Sequence, residues 1–464
     1  MAEDQDKTRR QILLQQVELL LEDRNLYALR SLLTDQWESD IAEIVESVDN
    51  EKRRLIFDAL ELDTAAEVIE KVNEATRDEV FDLLRDSEIK AIFTELDPDD
   101  AADLLAEMPA AEAHEVLQSL DHEDRQEIHE LMQYSEDSAG GIMDPAVISV
   151  GKNATVAEAI GKIRAQEIDE DFYAVFVVDD HGKYVGDVRL RLLLTKPEQT
   201  RIKSIVDTDP LYVYVDTDQE EVRNLFSKHD LITIPVVDRD DRLVGRITAD
   251  RVIEVAEEEA AEDVFTMAGT NPDELDTFSA FNAARIRLTW IVPCLLGTAV
   301  TLLVSIYFKG LFNEGIFAAV LVFVPMVAAI SGNAGLQTSA IVVSGLATGH
   351  LAALRLGQVF SREVRIALIV ALSCAVIGGA ICAVSGQIPV MKDSKIDILR
   401  LAFALGTAMF SAIMVATTLG LFLPFLFRQV GIDPAISSGP IVTTANDSIS
   451  VAIYLTLALQ LAGG

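Results

Sequence analysis

The chain has 464 residues, 50% hydrophobic and 24% charged, with a formal net charge of −37. The charge is unevenly distributed: residues 1–287 carry 30 Lys and Arg against 69 Asp and Glu (net −39), whereas 288–464 carry 8 against 6 (net +2). That asymmetry predicts an acidic, water-exposed part joined to a membrane part and excludes nucleic acid as a partner, because such a partner calls for a basic patch.

Met1 to Arg10 is charged and has no apolar core, so no cleavable signal peptide is expected and the acidic part is assigned to the cytoplasm. From Gln11 to about Tyr134, apolar residues recur three and four apart, with Asp- or Pro-marked starts such as Leu96-Asp97-Pro98-Asp99-Asp100. This predicts short amphipathic helices in an all-helical domain. Ala65-Ala66-Glu67-Val68-Ile69 returns as Ala101-Ala102-Asp103-Leu104-Leu105 thirty-six positions later. Such a spacing suits stacked helical repeats, with coincidence as the rival reading.

A second repeat follows. Phe176-Val177-Val178-Asp179 and Tyr184-Val185-Gly186 recur as Pro235-Val236-Val237-Asp238 and Leu243-Val244-Gly245, at an offset of fifty-nine. Each copy reads as an extended segment (147–150; 212–215), a helix capped near Thr155 or Asp218, then strand, turn, strand and helix. Over roughly residues 138–255 the pair resembles tandem cystathionine-β-synthase (CBS) domains, which often bind adenine nucleotides. The nucleotide pattern of that family puts an acid three residues after the Thr or Ser that follows the strand glycine. Here Thr248 is followed by Arg251, and Arg189 stands in the Thr place of the first copy, so ATP is disfavoured as a ligand.

After Val252 an acidic helix is expected over Glu254 to Ala268. Glu254, Glu258 and Glu262 fall in one i, i+4 row and Glu259 with Asp263 in the next. Like charges so placed disfavour an isolated helix, and bound cations are the simplest compensation. Read singly, each acid is a solvated helix face. Apolar stretches at about 288–308, 315–348, 364–386, 398–427 and 435–461 are each long enough to cross a bilayer. Five spans put the C-terminus outside. Arg285, Arg287, Arg355, Arg362, Arg365 and Arg428 would flank the inner face, and Lys309, Lys392, Lys395 and Arg400 the outer one. Cys294, Cys374 and Cys382 all fall in apolar stretches, as buried hydrophobes rather than disulfides or thiolate ligands. The six histidines, among them His114, His122, His129 and His350, show no metal-ligand spacing.

Asp447 lies about midway along the last apolar stretch. A charge at the bilayer centre costs at least ~2.5–3.5 kcal/mol, so one that is kept faces a watery path or an opposite charge. The alternative is that it clamps a neighbouring helix. Helical spacing puts Pro440, Thr443, Thr444, Asp447, Ser450 and Tyr454 on one wet face. In the second span, Pro325 is followed by Ser331-Gly332-Asn333-Ala334-Gly335-Leu336-Gln337-Thr338. This predicts a distorted middle whose bared carbonyls line a cavity, against close helix packing through small residues.

Pro325 to Gln337 with Gly345-Leu346-Ala347-Thr348-Gly349, and Asp433-Pro434-Ala435, Ser438-Gly439-Pro440, Thr443-Thr444 and Asn446-Asp447, resemble the second-span and last-span signatures of MgtE-type magnesium transporters. The order of parts agrees. The expected fold is multidomain, α and α+β, with a polytopic α-helical membrane domain: a helical-repeat N domain (1–135), a tandem CBS pair (136–250), an acidic connecting helix and linker (251–284) and five transmembrane helices (285–464). The resemblance implies a homodimer in a bacterial inner membrane, with Asp447, Asn333, Thr443 and Gly332 at the path of a hydrated Mg²⁺. It further implies regulatory Mg²⁺ at Asp218, Glu220, Asp230, Glu254, Glu259, Glu262 and Asp263, and at Asp99 and Asp103 of the N domain. Arg251 occupies a place where the family commonly has Asp facing the N domain. No GxxxxGK[ST] loop is present, so an ATP-hydrolysing enzyme is not expected. A cation-coupled exchanger and a membrane-anchored CBS sensor are the rival functions.

Overall fold

The computed structural model describes residues 2–165, 172–207, 210–272, 274, 279–348, 351, 356–386 and 396–462. Gly349, His350, Arg355, Lys392 and Lys395 from the sequence reading lie outside them. The chain falls into two compact units, Met1–Glu257 and Glu258–Gly464.

The first unit opens with α1 (Ala2–Glu22) and α2 (Leu26–Leu33). Eight ten-residue helices follow, beginning every twelve residues: α3 (Glu38–Ser47), α4 (Asn50–Ala59), α5 (Leu62–Lys71), α6 (Glu74–Leu83), α7 (Asp86–Glu95), α8 (Pro98–Glu107), α9 (Ala110–Ser119) and α10 (His122–Leu131). Each two-residue linker from Val48-Asp49 to Leu120-Asp121 begins with an apolar residue in extended conformation, which stops the helix and turns inward. Asp49 and Asn73 then restart it by accepting the N–H of Lys52 at 3.1 Å and of Thr76 at 2.9 Å. Helices stack on the next but one, α3 on α5, α5 on α7, α4 on α6 and α8 on α10. The thirty-six-residue echo is therefore three units of a twelve-residue period. It surfaced because α5 buries Ala65, Ala66, Val68 and Ile69, and α8 buries Ala101, Ala102, Leu104 and Leu105, in the same pattern.

Two three-stranded sheets come next, β1 (Ser149–Gly151), β2 (Ala174–Val178) and β3 (Tyr184–Arg189), then β4 (Val213–Tyr214), β5 (Thr233–Val237) and β6 (Leu243–Thr248). In each the first pair is parallel and the second antiparallel, with matching irregularities at Val177/Val178 and Val236/Val237. A parallel pair needs a crossover. It is supplied by α11 (Val156–Ala165) and by α13 (Gln219–His229). Thr155 starts α11 through a reciprocal exchange with Glu158. A short α12 (Leu190–Thr195) ends the first copy. β6 runs directly into α14 (Ala249–Ala268), so the closing helix of the second copy and the acidic helix, expected to start at Glu254, are one element.

Among the described residues, the second unit holds five segments long and apolar enough to span a bilayer. They are α15 (Ala280–Lys309), α16 (Glu314–Leu321) with α17 (Val324–Ala347), α18 (Leu356–Ser385), α19 (Ile398–Gln429), and a 3-10 turn Pro434–Ser438 leading into α20 (Pro440–Ala462). α19 packs on α17, α18 and α20. The expected unwinding over Ser331–Thr338 is not there: α17 is helical throughout, and the second span breaks earlier, at Val322-Phe323. Pro325 sits in the first turn of α17 and has no N–H to give to the preceding turn, which fixes the break there. Downstream, Ser331 Oγ and Thr338 Oγ1 donate back to the carbonyls of Val327 (2.8 Å) and Ala334 (3.1 Å), so the helix absorbs these polar residues. Its small residues serve packing. A Cβ on Gly335 would lie 3.2 Å from the Ala416 carbonyl, and one on Gly420 would overlap the Gly335 carbonyl.

Gly420→Ala should therefore push α17 and α19 apart and destabilise the solubilised protein by ~1–3 kcal/mol. Thermal melting in detergent checks this, and an unchanged midpoint would refute the backbone contact.

Candidate ion site and acidic surfaces

Asp447 lies on α20, half-buried, across from α17. A Cβ on Gly332 would sit 3.4 Å from Asp447 Oδ1 and 3.4 Å from Thr443 Cγ2, so the missing side chain of Gly332 leaves the carboxylate its space. Among the described residues Asp447 makes no ion pair. Asn333, the next residue on α17, is exposed in the single chain. Asp447, Thr443 and Gly332 are thus brought together, with Asn333 one residue along.

The expected wet stripe on the last span divides in two. Thr443 and Asp447 stay partly accessible, whereas Ser450 and Tyr454 are sealed at 0% exposure. Tyr454 Oη donates to the Val320 carbonyl at 2.9 Å. Asn446, 1% exposed, donates through Nδ2 to Ser331 Oγ at 3.3 Å. Periodicity alone had not singled out this polar contact with the second span. The available signal was that Asn446, Ser450 and Tyr454 fall at i, i+4 and i+8, a polar row that needs partners inside the protein. Glu363, 3% exposed on α18, is a further buried carboxylate of the membrane unit that sequence reading missed; its i, i+4 spacing with Val359 and Ala367 was the clue.

The end of the acidic helix meets the start of α20. Gly269, just past α14, has φ of +79°, a left-handed conformation that favours glycine, and a Cβ there would lie 2.5 Å from Pro440 Cγ. Gly439 faces the Thr266 carbonyl, which a Cβ would approach to 3.1 Å. On α14, Glu254, Glu258 and Glu262 are exposed, while Glu259 and Asp263 are half-buried. Asp218 caps α13 by accepting the Glu220 N–H at 2.9 Å. Asp230 ends the same helix with φ of 50°. Eleven residues separate these two ends by ~16 Å, so Asp218 and Glu220 form one locus and Asp230 another.

On α8, Asp99, Asp100 and Asp103 lie within one turn. Arg251, near the start of α14, pairs with Asp103 and lies 3.2 Å from Glu254. Burial works against the guanidinium charge, but the carboxylates of Asp103, Glu254, Asp100 and Asp99 outweigh it, and its pKa is raised. Burial pushes Asp100 up to about 8, with Glu70 adding to the shift. Asp99 stands well above the usual carboxylate range through burial and the charges of Asp100 and Asp144. Asp103 is also raised, because burial exceeds the help from Arg251. Asp99 Oδ1 is buried without a hydrogen-bond partner in this structure. One cation thus faces a surplus of carboxylates, of which Asp99 is buried and Asp100 and Asp103 are half-buried. Among the described residues no three His, Cys, Asp or Glu side chains converge as a metal site within the single chain. The donors are all carboxylate oxygens, which suits a hard, hydrated cation.

Three family models match the chain in order: MgtE intracellular N domain over residues 38–137, CBS domain over 139–197 and 202–258, and the MgtE divalent cation transporter over 324–457. The chain is 33% identical over 454 residues to the magnesium transporter MgtE of Enterococcus faecalis, covering 91% of this chain and 97% of that protein. It is 30% identical over 444 residues to the magnesium transporter MgtE of Thermus thermophilus, covering 94% and 96%. The crystal structure of the soluble part of a magnesium transporter aligns with a TM-score of 0.50 at 28% identity, over 54% of this chain and 100% of that one. The cytosolic domain of the Mg²⁺ channel MgtE in complex with ATP aligns with a TM-score of 0.50 at 32% identity, over 52% and 98%. With the helical array, the paired CBS sheets and five apolar segments, these similarities establish that the chain belongs to the MgtE family of magnesium transporters.

Proposed function

We propose that the chain is a homodimeric Mg²⁺ channel or facilitator of a bacterial inner membrane, importing Mg²⁺ down its electrochemical gradient, and not an enzyme. The observation that carries this reading is Asp447, a half-buried carboxylate in the last apolar segment, beside Gly332 and Thr443, with no cationic partner among the described residues. Two such carboxylates about a twofold axis would hold Mg²⁺ with its water shell, and Asn333 would accept hydrogen bonds from those waters. The dimer is supported by α15, none of whose residues is buried within the single chain, leaving its apolar surface for lipid or a second copy. Arg285, Arg287, Arg362, Arg365 and Arg428 on the side assigned to the cytoplasm, against Lys309 and Arg400 on the other, support a C-terminus outside.

Cytosolic Mg²⁺ closes the path by neutralising the acids at Asp218, Glu220, Asp230, Glu254, Glu259, Glu262 and Asp263. Two carboxylates at 4 Å repel by ~4 kcal/mol at an effective dielectric of 20. Turning a balance from 1:99 to 99:1 takes ~5.5 kcal/mol, so a few ions are sufficient. Asp99 and Asp103 belong to the same set, with the difference that Arg251 already neutralises part of their charge. The engagement of Arg251 with Asp103 also weighs against ATP as a ligand here.

Asp447→Asn should abolish or greatly reduce Mg²⁺ flux into liposomes; wild-type flux in that variant would overturn the role given to Asp447, and absence of Mg²⁺ flux in the wild type itself would favour a membrane-anchored sensor. Single-channel current steps would exclude an obligatory exchanger. Glu259→Ala with Asp263→Ala should leave flux open at cytosolic Mg²⁺ levels that shut the wild type, and unchanged closure would count against the gate. Arg251→Gln should make the helical array more sensitive to protease without Mg²⁺ and restore protection when Mg²⁺ is added. Protection as complete as in wild type in both conditions would show that the guanidinium is not neutralising these acids.

A further inference from the structure

A single carboxylate discriminates between cations only as far as its position is fixed, and the residues on either side of Asp447 are each tied to a different span. Asn446 donates to Ser331 Oγ of α17 at 3.3 Å, Ser331 Oγ lies 2.8 Å from Ser450 Oγ, and Ser450 Oγ donates to Asn446 Oδ1 at 3.4 Å. Ser331 has one hydroxyl proton, shared between the Val327 carbonyl and Ser450 Oγ, and when it turns to Ser450 these three side chains close a ring with exposures of 1%, 0% and 0%. On the other side, Ser448 Oγ lies 2.7 Å from Thr301 Oγ1 of α15 and donates to the Gly297 carbonyl at 3.4 Å. Gly297 permits that approach, since a Cβ there would overlap Thr444 Cγ2.

Successive residues on an α-helix point ~100° apart. Fixing residue 446 against the second span and residue 448 against the first leaves residue 447 one sector, the one occupied by Gly332 and Thr443. We propose that Asn446 and Ser448 are positioning residues that hold the Asp447 carboxylate at a set rotation and depth, and that this bracket sets the preference for Mg²⁺ over larger divalent cations. Neither touches the ion. The inference rests on the reading of Asp447 as the cation-binding carboxylate. A rigid carboxylate matches one hydrated radius, whereas a rocking one accepts several. An ion such as Ca²⁺, with its looser coordination, gains most from the slack.

The test is flux of Mg²⁺ and Ca²⁺ in proteoliposomes carrying the full-length chain, with thermal melting to score folding. Asn446→Ala and Ser448→Ala should each lower the Mg²⁺-to-Ca²⁺ flux ratio by about fivefold, the scale of one or two interhelical hydrogen bonds. Ser331→Ala should lower it similarly and add little to Asn446→Ala, because both break the same ring. Thr456→Val, which removes only a bond to the Ala452 carbonyl on the exposed side of α20, should leave the ratio unchanged. If Asn446→Ala fails to fold, Thr301→Val tests the opposite side of the bracket with a milder change. Variants that lose yield or total flux but keep the wild-type ratio would reduce these residues to ordinary packing and overturn the proposal. Wild-type conduction in Asp447→Asn would instead remove the reading beneath it.

Discussion

A carboxylate without a cation of its own, set among apolar helices, is the constraint around which the membrane unit is arranged. Hydrocarbon offers no hydrogen bonds, so each polar group of the unit has to be answered from within the protein. Tyr454 answers Val320, Asn446 answers Ser331, and Ser448 answers Thr301 and Gly297. Asp447 has no such answer among the described residues. Asn446 and Ser448 on either side of it are satisfied by their neighbours, and this charge is left for something that comes and goes.

The acidic unit poses the opposite electrostatic problem. It accumulates carboxylates faster than its own cations neutralise them, as the raised pKa values of Asp99, Asp100 and Asp103 around Arg251 record. A half-buried guanidinium among several acids is held tightly, because removing it would leave uncompensated charge in a poorly solvated place. The helical array is thus joined to the start of α14 by a cation the chain supplies itself, where the rest of the acidic helix has only carboxylates to offer. Metal dependence need not be uniform along these surfaces.

Much of the organisation was legible in the sequence because it repeats. The offset of fifty-nine was visible in the paired Val-Val-Asp and Val-Gly motifs, and it gives two sheets of the same pairing. The helical array was only half read: its period is twelve, and the echo at thirty-six showed because α5 and α8 share a burial pattern while the helices between them differ in side-chain detail. Span two misled for a physical reason. Gly, Ser and Asn in a row look like a breaker, but serine and threonine can return their protons to the preceding turn and glycine can admit a neighbouring backbone. Asp447 was legible as a lone charge, whereas its bracket was not, since each half joins residues more than one hundred positions apart.

The twelve-residue period of the helical array limits how such a domain can grow. Most of its helices lean on a second neighbour, α3 on α5, α4 on α6, α5 on α7, α7 on α9 and α8 on α10, so each buried face is matched to a helix two units away. Insertion of a single unit would give the helices on either side of it new second neighbours, and their buried faces would have to be matched afresh. Lengthening that preserves the packing must therefore copy a unit whose buried pattern suits its new neighbours, as those of α5 and α8 would suit each other's places.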